Sequence, residues 1–319
     1  MHTSLRLSGP ASLLAATALF SGLSTATQPP TYPGYTILWH DDFVGPAGSA
    51  PDPGRWHTVT GYLNVNGEAE VYSASNSNLQ LSGGDTVQLV PQKDPSSSGA
   101  GAGWTSARIE TQAGFTPRAG GITRVEGSIR TGSNPASQEQ GIWPAFWLLG
   151  ESIRTGTKWP DCGELDILEQ RNGVATGYGT AHCGDSSTGG ICNEPGGLGG
   201  TVPIPAEPGR SSRIKRGPSA NATASANDGT FHVWTITWDL TSNNWQSETI
   251  TWALDGRRYF SLSGQRINNQ AVWNSLAHNS LNIILNVAVG GGFPGAPNLA
   301  TRGSYGSMME VQYVAVYSS

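Results

Sequence analysis

The sequence predicts an all-β domain, folded as a sandwich or a barrel. Short runs alternate apolar and polar residues and are rich in valine, isoleucine, threonine, tyrosine and tryptophan, as half-buried strands are. Turn residues separate these runs, and the 319 residues include 43 glycines and 20 prolines. No long stretch has the period of an amphipathic helix, and regularly spaced short strands are typical of sandwiches and barrels.

The predicted strands follow one another along the whole chain. They are the runs at residues 35–39, 86–90, 123–130, 231–238, 249–254, 281–289 and 309–317. Asp255 and Gly256 come directly after the fifth run and predict a hairpin turn. Two polar stretches, residues 94–103 and 184–227, are expected to be loops. Neither a linker nor an internal repeat divides the chain.

The composition indicates a folded core and excludes two classes of protein. Apolar residues make up 37% of the chain and include 11 tryptophans, whereas charged residues make up only 13%. A long coiled coil needs far more charged residues than this. The formal net charge is −5, and binding to nucleic-acid phosphates needs a basic surface. We therefore expect no nucleic-acid partner.

The first 26 residues have the features of a secretory signal peptide. Arg6 precedes an apolar stretch at residues 11–20, and small residues occupy the −3 and −1 positions of a cleavage site that ends at Ala26. A membrane anchor is the alternative, but this stretch is too short to span a bilayer. We therefore expect a secreted, extracellular protein with no membrane contact after cleavage. The mature chain, residues 27–319, is expected to be one domain.

The three cysteines are Cys162, Cys183 and Cys192. A disulfide is allowed outside the cell, and we favour Cys183–Cys192 because these residues flank one short loop. Cys162 would then be a buried thiol, although a Cys162–Cys183 bridge is the alternative. The chain lacks the CxxC and HxxxH spacings of common metal sites, so we expect no metal. Asn221 begins an N-glycosylation sequon in the long polar loop.

Acidic residues are concentrated in the strand-like run at residues 164–169. On a strand, Glu164 and Asp166 share one face, and strict alternation would place Glu169 on the opposite face, in the core. Because a buried unpaired carboxylate is costly, we expect a one-residue β-bulge at residues 167–168. The bulge would return Glu169 to the face of the other two acids. A solvated edge strand is the alternative explanation for the same acids.

Two carboxyl groups on one face are what cleavage of a glycosidic bond requires. One attacks the anomeric carbon and the other protonates the leaving oxygen, and a separation of about 5–5.5 Å gives retention of configuration. A carboxylate between them raises the pKa of its neighbours, which helps keep the acid protonated. Tryptophans at residues 143 and 147 suit stacking on sugar rings, although each also fits a plain core position.

Seven segments of the mature chain match the motifs of one enzyme family. They lie at residues 39–43, 66–72, 106–111, 141–150, 163–169, 286–291 and 311–317. The most specific are Gly-Ile-Trp-Pro-Ala-Phe-Trp, from residue 141, and Gly-Glu-Leu-Asp-Ile-Leu-Glu, from residue 163. On these motifs the chain resembles glycoside hydrolase family 16, specifically the laminarinase-like, endo-β-1,3(4)-glucanase branch of fungal type.

The resemblance implies a concanavalin A-like β-jelly roll, in which a substrate cleft crosses the concave face of two antiparallel sheets. It implies that Glu164 is the nucleophile, Glu169 the acid/base and Asp166 a supporting carboxylate. The residues that would line the glycan subsites are Asn66, Arg108, Trp143, Trp159 and His182. From the residues alone, Asn66 also fits a turn, Arg108 a structural ion pair and His182 a core histidine.

Two positions depart from the family pattern. Phe293 stands where the family usually has a tryptophan before Pro-Gly, which keeps an aromatic platform but changes its contact. Gln312 stands where the family often has an aspartate that binds a structural calcium. Because calcium prefers carboxylate ligands, we expect no calcium site there.

The function expected from these motifs is retaining endo-hydrolysis of β-1,3-glucan or mixed β-1,3/1,4-glucan. The partner is then the polysaccharide substrate, no cofactor is needed, and we expect a monomer. Within the same fold, the alternatives are a β-1,3-galactanase and a cell-wall transglycosylase, although the extra Leu168 argues against the latter. The alternative from another class is a lectin-like binding module, against which the presence of both glutamates argues.

Overall fold

The computed structural model describes residues 27–94, 103–184, 190–205 and 229–319. In these ranges the strands are β1 (Thr36–Asp41), β2 (Trp56–Thr58), β3 (Glu70–Tyr72), β4 (Leu79–Leu81), β5 (Val87–Leu89), β6 (Gln92–Asp94), β7 (Gly103–Ser106), β8 (Arg108–Thr111), β9 (Ile122–Thr131), β10 (Ile142–Gly150), β11 (Glu164–Glu169), β12 (Thr176–His182), β13 (Leu198–Pro203), β14 (His232–Asp239), β15 (Thr249–Leu254), β16 (Arg257–Ser263), β17 (Leu281–Val289) and β18 (Met309–Ser318). The helices are short, α1 (Gly264–Ile267) and α2 (Gln270–Ala277). None in the described ranges is long and apolar enough to cross a membrane.

Two large antiparallel sheets form the domain, which confirms the predicted all-β sandwich. One sheet has the order β16-β15-β14-β9-β18-β5-β4, and β1 also pairs with β18. The other has the order β13-β12-β11-β10-β17-β8-β2 and is called here the site sheet. A third, smaller sheet, β3-β7-β6, contains the parallel pair β3 and β7.

Each predicted strand run corresponds to a strand, with its ends shifted by a few residues. The predicted hairpin is also confirmed: β15 and β16 are joined at Asp255 and Gly256, whose φ angles are +49° and +75°. Positive φ at both central residues matches the right-handed twist of paired strands. The loop expected over residues 184–227 was wrong in part, because it contains the edge strand β13, which pairs with β12.

The core lies between the two large sheets and is dominated by tryptophan and aliphatic side chains. Trp234 and Trp238 from β14 and Trp252 from β15 are at most 2% exposed. From the site sheet, they meet Phe146 and Leu165 in the same apolar cluster. The alternation that places these residues inward directs the intervening residues of β8, β10, β11, β12 and β17 to the outer face of the site sheet.

Glycines in β12 make room for the large core side chains. Gly177 and Gly179 lie on the core side of the strand, and an added Cβ at either position would clash with Trp234 or Trp252, respectively. At Gly179 the Cβ would lie 2.5 Å from Trp252 Cδ1. The close approach of the two sheets at β12 therefore depends on residues without side chains.

Several sequence expectations concern the termini and loops. Cys183 and Cys192 form the favoured disulfide, and Cys162 is a buried free thiol. The predicted signal peptide and the Asn221 sequon lie outside the described residues. Gln312 lies on β18, where its Oε1 accepts a hydrogen bond of 2.7 Å from Ser128 Oγ.

Candidate active site

Strand β11 carries the predicted bulge. Against β10, Leu168 pairs with Phe146 and Asp166 pairs with Trp147, which leaves Ile167 as the extra residue. Leu165, Ile167 and Leu168 are all buried in the core, whereas Glu164 and Glu169 are only partly buried. The bulge therefore changes the phase of the strand as expected, and it separates the glutamates from the apolar residues between them.

Two aromatic residues of the opposite sheet stabilise the bulge from the core side. The Trp252 Nε1–H donates a hydrogen bond of 2.7 Å to the Asp166 carbonyl, and the Tyr259 hydroxyl donates one of 3.3 Å to the Ile167 carbonyl. A bulge disrupts the ladder locally, so its carbonyls need other donors. Gly179 of the neighbouring strand leaves the space through which both side chains reach β11.

His182 lies beside the acids, on the neighbouring strand. His182 pairs with Glu164 in the register of β11 and β12. The Nε2 atom is 3.3 Å from Asp166 Oδ2 and 3.9 Å from Glu164 Oε1. The Trp159 ring packs over the imidazole at 5.5 Å, and Trp159 remains 37% exposed. The structure thus brings together Glu164, Asp166, Trp159 and His182.

Glu169, at the other end of β11, has a different donor. The Trp143 indole donates a hydrogen bond of 2.9 Å to Glu169 Oε1. The Trp143 ring also packs against Phe293, with 5.3 Å between ring centres. Tyr178 meets Phe293 edge to face at 5.2 Å, and the Arg171 guanidinium lies 4.3 Å over the Phe293 ring. Phe293 therefore belongs to an aromatic cluster next to Glu169.

Arg108 adds a positive charge on the Glu164 side. Its guanidinium lies 4.9 Å over the Trp147 ring and forms a 2.7 Å ion pair with Glu110. The ion pair agrees with the structural alternative for Arg108. The charge also acts on the site, because it opposes the rise that burial causes in the pKa of Glu164. Trp147 in turn donates a hydrogen bond of 2.8 Å to Asn286 Oδ1.

Asn66 lies in a turn, as the alternative interpretation expected. Its φ is +52°, and its side-chain amide donates a hydrogen bond of 3.1 Å to Glu68. Its backbone carbonyl accepts from Gly292. Asn66 thus joins the turn before β3 to the glycine-rich segment that contains Phe293, rather than contacting the acids of β11.

The neighbouring groups affect the pKa values of the two glutamates differently. Burial raises the pKa of Glu164, and Asp166 raises it further, whereas His182 and Arg108 lower it. Trp159 also lowers it by hydrogen bonding. The balance leaves the pKa of Glu164 raised to about 8, and the three groups that lower it are the ones that favour the ionised carboxylate of a nucleophile.

The surroundings of Glu169 favour its protonated form more strongly than those of Glu164 do. Burial raises its pKa well above the usual range, and both Asp166 and Glu164 add to this. His182 and the Trp143 hydrogen bond act in the opposite direction. A buried carboxyl group beside two other acids is suited to act as a general acid at neutral pH.

The surroundings of His182 favour its protonated form. Burial lowers its pKa, but hydrogen bonds with Asp166 and Glu194 and the charges of Asp166 and Glu164 outweigh this effect and raise it to about 11. Glu164, Asp166 and His182 have ligand atoms within 4.8 Å of one another, which is also compatible with a cation site. However, an imidazolium has no free lone pair to offer a metal, so this donor set fits a proton-bearing role better.

Sequence reasoning missed two contributors to the site. Glu194 is buried under His182, with its Oε2 2.7 Å from Nδ1. Nothing local marks Glu194, because it reaches the site only through the disulfide loop. Trp147 was noted as an aromatic residue but not as a site residue. Its spacing of four from Trp143 on a strand, which places both on one face, could have identified it.

Comparisons with known proteins identify a family and several proteins of similar sequence and structure. A family model described as "XgeA-like, catalytic GH16 domain" matches residues 69–196. The crystal structure of an endo-1,3-β-glucanase from Streptomyces sioyaensis is 33% identical, with a TM-score of 0.77, covering 92% of this chain and 99% of that one. A β-glucanase from Rhodothermus marinus is 26% identical over 89% of this chain and 86% of its own length.

A glucan endo-1,3-β-glucosidase A1 from Niallia circulans is 26% identical over 92% of this chain. The chain spans only 39% of that relative's length. The Streptomyces structure, in contrast, is matched over almost its whole length at more than 30% identity. The chain therefore belongs to glycoside hydrolase family 16, in its laminarinase or endo-1,3-β-glucanase group.

Proposed function

We propose that this chain is a retaining endo-glycosidase that cuts within β-1,3-glucan or mixed β-1,3/1,4-glucan chains. The observation that carries the proposal is the bulged strand β11, which separates Glu164 and Glu169 from its buried apolar residues and sets Asp166 between them. The names of the relatives support the substrate, since those from Streptomyces sioyaensis and Rhodothermus marinus are an endo-1,3-β-glucanase and a β-glucanase.

In the first step, an oxygen of the Glu164 carboxylate attacks the anomeric carbon. A covalent bond forms between that oxygen and the carbon while the glycosidic C–O bond breaks, and Glu169 gives its proton to the departing sugar oxygen. The raised pKa of Glu169 suits a proton donor, while His182, Arg108 and Trp159 are the groups that favour ionisation of Glu164 against the effect of its burial.

In the second step, water replaces the departed sugar. Glu169, now ionised, takes a proton from the water as its oxygen attacks the anomeric carbon, and the bond to Glu164 breaks. Two inversions give net retention, and both glutamates return to their starting states. Asp166 lies between the two glutamates on β11, and its Oδ2 is 3.3 Å from Nε2 of His182 on the neighbouring strand.

The proposal extends to the setting of the enzyme. Residues 1–26 are proposed to direct secretion and to be removed after Ala26, and the mature chain is proposed to act as an extracellular monomer. Mass spectrometry of the exported protein would test the cleavage site, and sedimentation would test the monomer. The fungal type stays a prediction from the sequence, since the relatives named above come from bacteria.

The experiment that tests the reaction compares the purified protein with Glu164→Gln on laminarin, lichenan and β-1,3-galactan. We expect short oligosaccharides from laminarin, lichenan or both, with initial products in the β configuration by NMR. The Glu164→Gln variant should lose at least about a thousandfold in kcat because the nucleophile is removed. Glu151→Gln, in the short 3₁₀ turn that follows β10, makes the same change at a partly exposed carboxylate and is the matched control, which should retain activity.

Three results would contradict the proposal. Cleavage of β-1,3-galactan alone would replace the substrate while keeping the mechanism. Binding of glucan without any cleavage would indicate a lectin-like protein. Transfer of glycosyl units to other sugars in place of water would indicate a transglycosylase. The comparisons favour none of these alternatives.

A further inference from the structure

The carboxylate of Glu194 lies behind His182, outside the strands that carry the proposed catalytic residues. Its side chain is 1% exposed. Oε2 is 2.7 Å from His182 Nδ1, and Oε1 accepts a hydrogen bond of 2.9 Å from the Cys183 backbone N–H. Both oxygens of Glu194 are thus bound by two consecutive residues at the end of β12, which fixes the carboxylate plane relative to the imidazole ring.

The other edge of His182 faces the acids of β11. Nε2 lies 3.3 Å from Asp166 Oδ2 and 3.9 Å from Glu164 Oε1, and the Trp159 ring packs beside the imidazole at a tilt of 45°. Each ring nitrogen therefore faces a carboxylate. A neutral imidazole has only one N–H, so it would leave one of these contacts as a repulsion between lone pairs. The arrangement fits a doubly protonated ring.

The disulfide keeps Glu194 in this position. Cys183 follows His182 directly, and Cys192 precedes Glu194 by two residues. The bond joins their Sγ atoms and holds the two Cα atoms 5.3 Å apart, and both residues are fully buried. The covalent link therefore lies next to the hydrogen bonds between Glu194 and the end of β12. Buried away from solvent, the carboxylate has little freedom to leave the histidine.

We propose that Glu194 is a positioning residue for the reaction, which holds His182 as an imidazolium whose Nε2–H faces Asp166 and Glu164. This inference rests on the proposed function of the site. By fixing a positive charge beside Glu164, Glu194 favours the ionised nucleophile, while Glu169, farther along the strand, keeps its proton. The titratable groups that face His182 are Glu164 and Asp166 on β11 and Glu194 behind it.

The protein contains a second pair with the same geometry, which provides a matched control. Asp255 Oδ2 is 2.7 Å from His232 Nδ1, and its Oδ1 accepts a hydrogen bond of 2.8 Å from the next backbone N–H, that of Val233. This pair lies at the β15–β16 hairpin and not beside the acids of β11. Asp255→Asn therefore makes the same chemical change as Glu194→Gln at a place where it should not affect the reaction.

The test combines histidine titration with kinetics on the full-length mature protein. In ¹⁵N-histidine NMR spectra, with His182 assigned from a His182→Gln sample, we expect the wild-type ring to stay protonated to at least about pH 9. In Glu194→Gln, its titration midpoint should fall by at least about one pH unit. On glucan, kcat should fall at least about tenfold with KM within about twofold, and the alkaline limb of kcat/KM should move to lower pH.

The controls separate positioning from simple stabilisation. Asp255→Asn should leave the His182 titration and kcat unchanged. Glu194→Asp keeps the charge on a shorter side chain, so His182 should stay protonated with an intermediate kcat; this variant also serves if Glu194→Gln does not fold. An unchanged His182 midpoint in Glu194→Gln, or an equal loss of kcat in Asp255→Asn, would overturn the proposal. A wild type without glucanase activity would refute the proposed function, while the titration would still decide the role of Glu194.

Discussion

The different contacts of Glu164 and Glu169 lead to a prediction about substrates with good leaving groups. Glu164 faces His182 and Trp159, whereas Glu169 has the Trp143 donor and two neighbouring acids. If Glu169 supplies the proton, kcat of Glu169→Ala on polysaccharide should fall at least about a hundredfold. With a dinitrophenyl glycoside, the rate of the first step should fall far less, because that leaving group needs no proton.

The measurement is the burst of dinitrophenolate, followed by stopped flow. Glu164→Ala is the comparison, since removal of the nucleophile should abolish the burst with both kinds of leaving group. Equal losses of Glu169→Ala on polysaccharide and on the activated glycoside would show that Glu169 is not the proton donor.

Phe293 carries a second prediction at the residue scale. Its ring is framed by Trp143, Tyr178 and Arg171, so its orientation is fixed before any sugar binds. Phe293→Ala removes an aromatic surface beside Glu169. Loss of about 1 kcal/mol of stacking corresponds to a roughly fivefold rise in KM with a smaller change in kcat. Michaelis kinetics on laminarin would measure this.

Tyr305→Ala is the matched control for Phe293→Ala, because Tyr305 is an aromatic residue that is 45% exposed on a different loop. An unchanged KM in Phe293→Ala would remove Phe293 from the substrate surface and leave it a purely structural residue.

At the residue scale, the sequence predicts the shared face of the β11 acids but not the contribution of Glu194. Glu164, Asp166 and Glu169 are adjacent in the chain, so strand geometry and the cost of a buried charge were enough to predict their shared face and the bulge. Glu194 has no such local pattern. Its role depends on a loop closed by Cys183 and Cys192 and on burial that only the folded chain reveals.

At the scale of elements, the bulge in β11 depends on β12 and β15 as much as on its own sequence. The Trp252 and Tyr259 donors reach its carbonyls past Gly179. Gly179→Ala should therefore displace both donors. We expect a loss of about 1–3 kcal/mol in the free energy of unfolding from overpacking, with a further loss of kcat as β11 shifts.

Urea unfolding and glucan kinetics would measure the two effects of Gly179→Ala. Gly84→Ala is the control, since an added Cβ there would meet only Ser82 Oγ, at 3.6 Å. Retained stability and activity in Gly179→Ala would refute the role assigned to the glycine.

Element prediction succeeded where strands were long enough to show a period. The predicted run at 123–130 lies within the ten-residue strand β9, and the run at 281–289 coincides with β17. Strands of three residues, such as β3 and β6, are too short for alternation to be visible. The eight-residue helix α2 was also missed; its Trp273 and Leu276 are buried against the sandwich.

At the scale of the whole molecule, pairing of distant strands assembles the site. β10 lies between β11 and β17, so Trp147 of β10 is within reach of both Asp166 and Asn286. Arg108 reaches the same face from β8, on the other side of β17. The sequence predicts the sandwich class through alternation, but strand order depends on long-range packing that a single sequence does not display.

Glu139 connects the two large sheets and sets an expected pH dependence of stability. It precedes β10, and its Oε1 lies 2.6 Å from the Oγ of Ser307, which precedes β18. The Ser307 Oγ also lies 2.7 Å from the Arg302 carbonyl. One hydroxyl hydrogen cannot serve both acceptors, whereas a protonated Glu139 can donate to Ser307 and free that hydrogen for Arg302. Burial raises the pKa of Glu139 to about 8, which favours its protonated form, while hydrogen bonds with Ser307 and Asn134 act in the opposite direction.

The folded state therefore holds a proton on Glu139 that the unfolded chain releases near the ordinary glutamate pKa of 4.5. Between these pH values the native state binds more protons, so the free energy of unfolding falls as pH rises. Burial and the charge of Glu68 raise the pKa of Glu70 to about 8, so Glu70 adds to the same slope.

In Glu139→Gln, the amide donates to Ser307 at every pH, so part of this pH dependence should disappear. Between pH 5 and pH 8, the free energy of unfolding of the variant should rise relative to that of the wild type by roughly 1–4 kcal/mol. Urea unfolding at each pH would measure this, with Glu151→Gln as the control for loss of a partly solvated carboxylate. Curves for Glu139→Gln and wild type that stay parallel from pH 5 to pH 8 would show that Glu139 is already ionised in the folded protein.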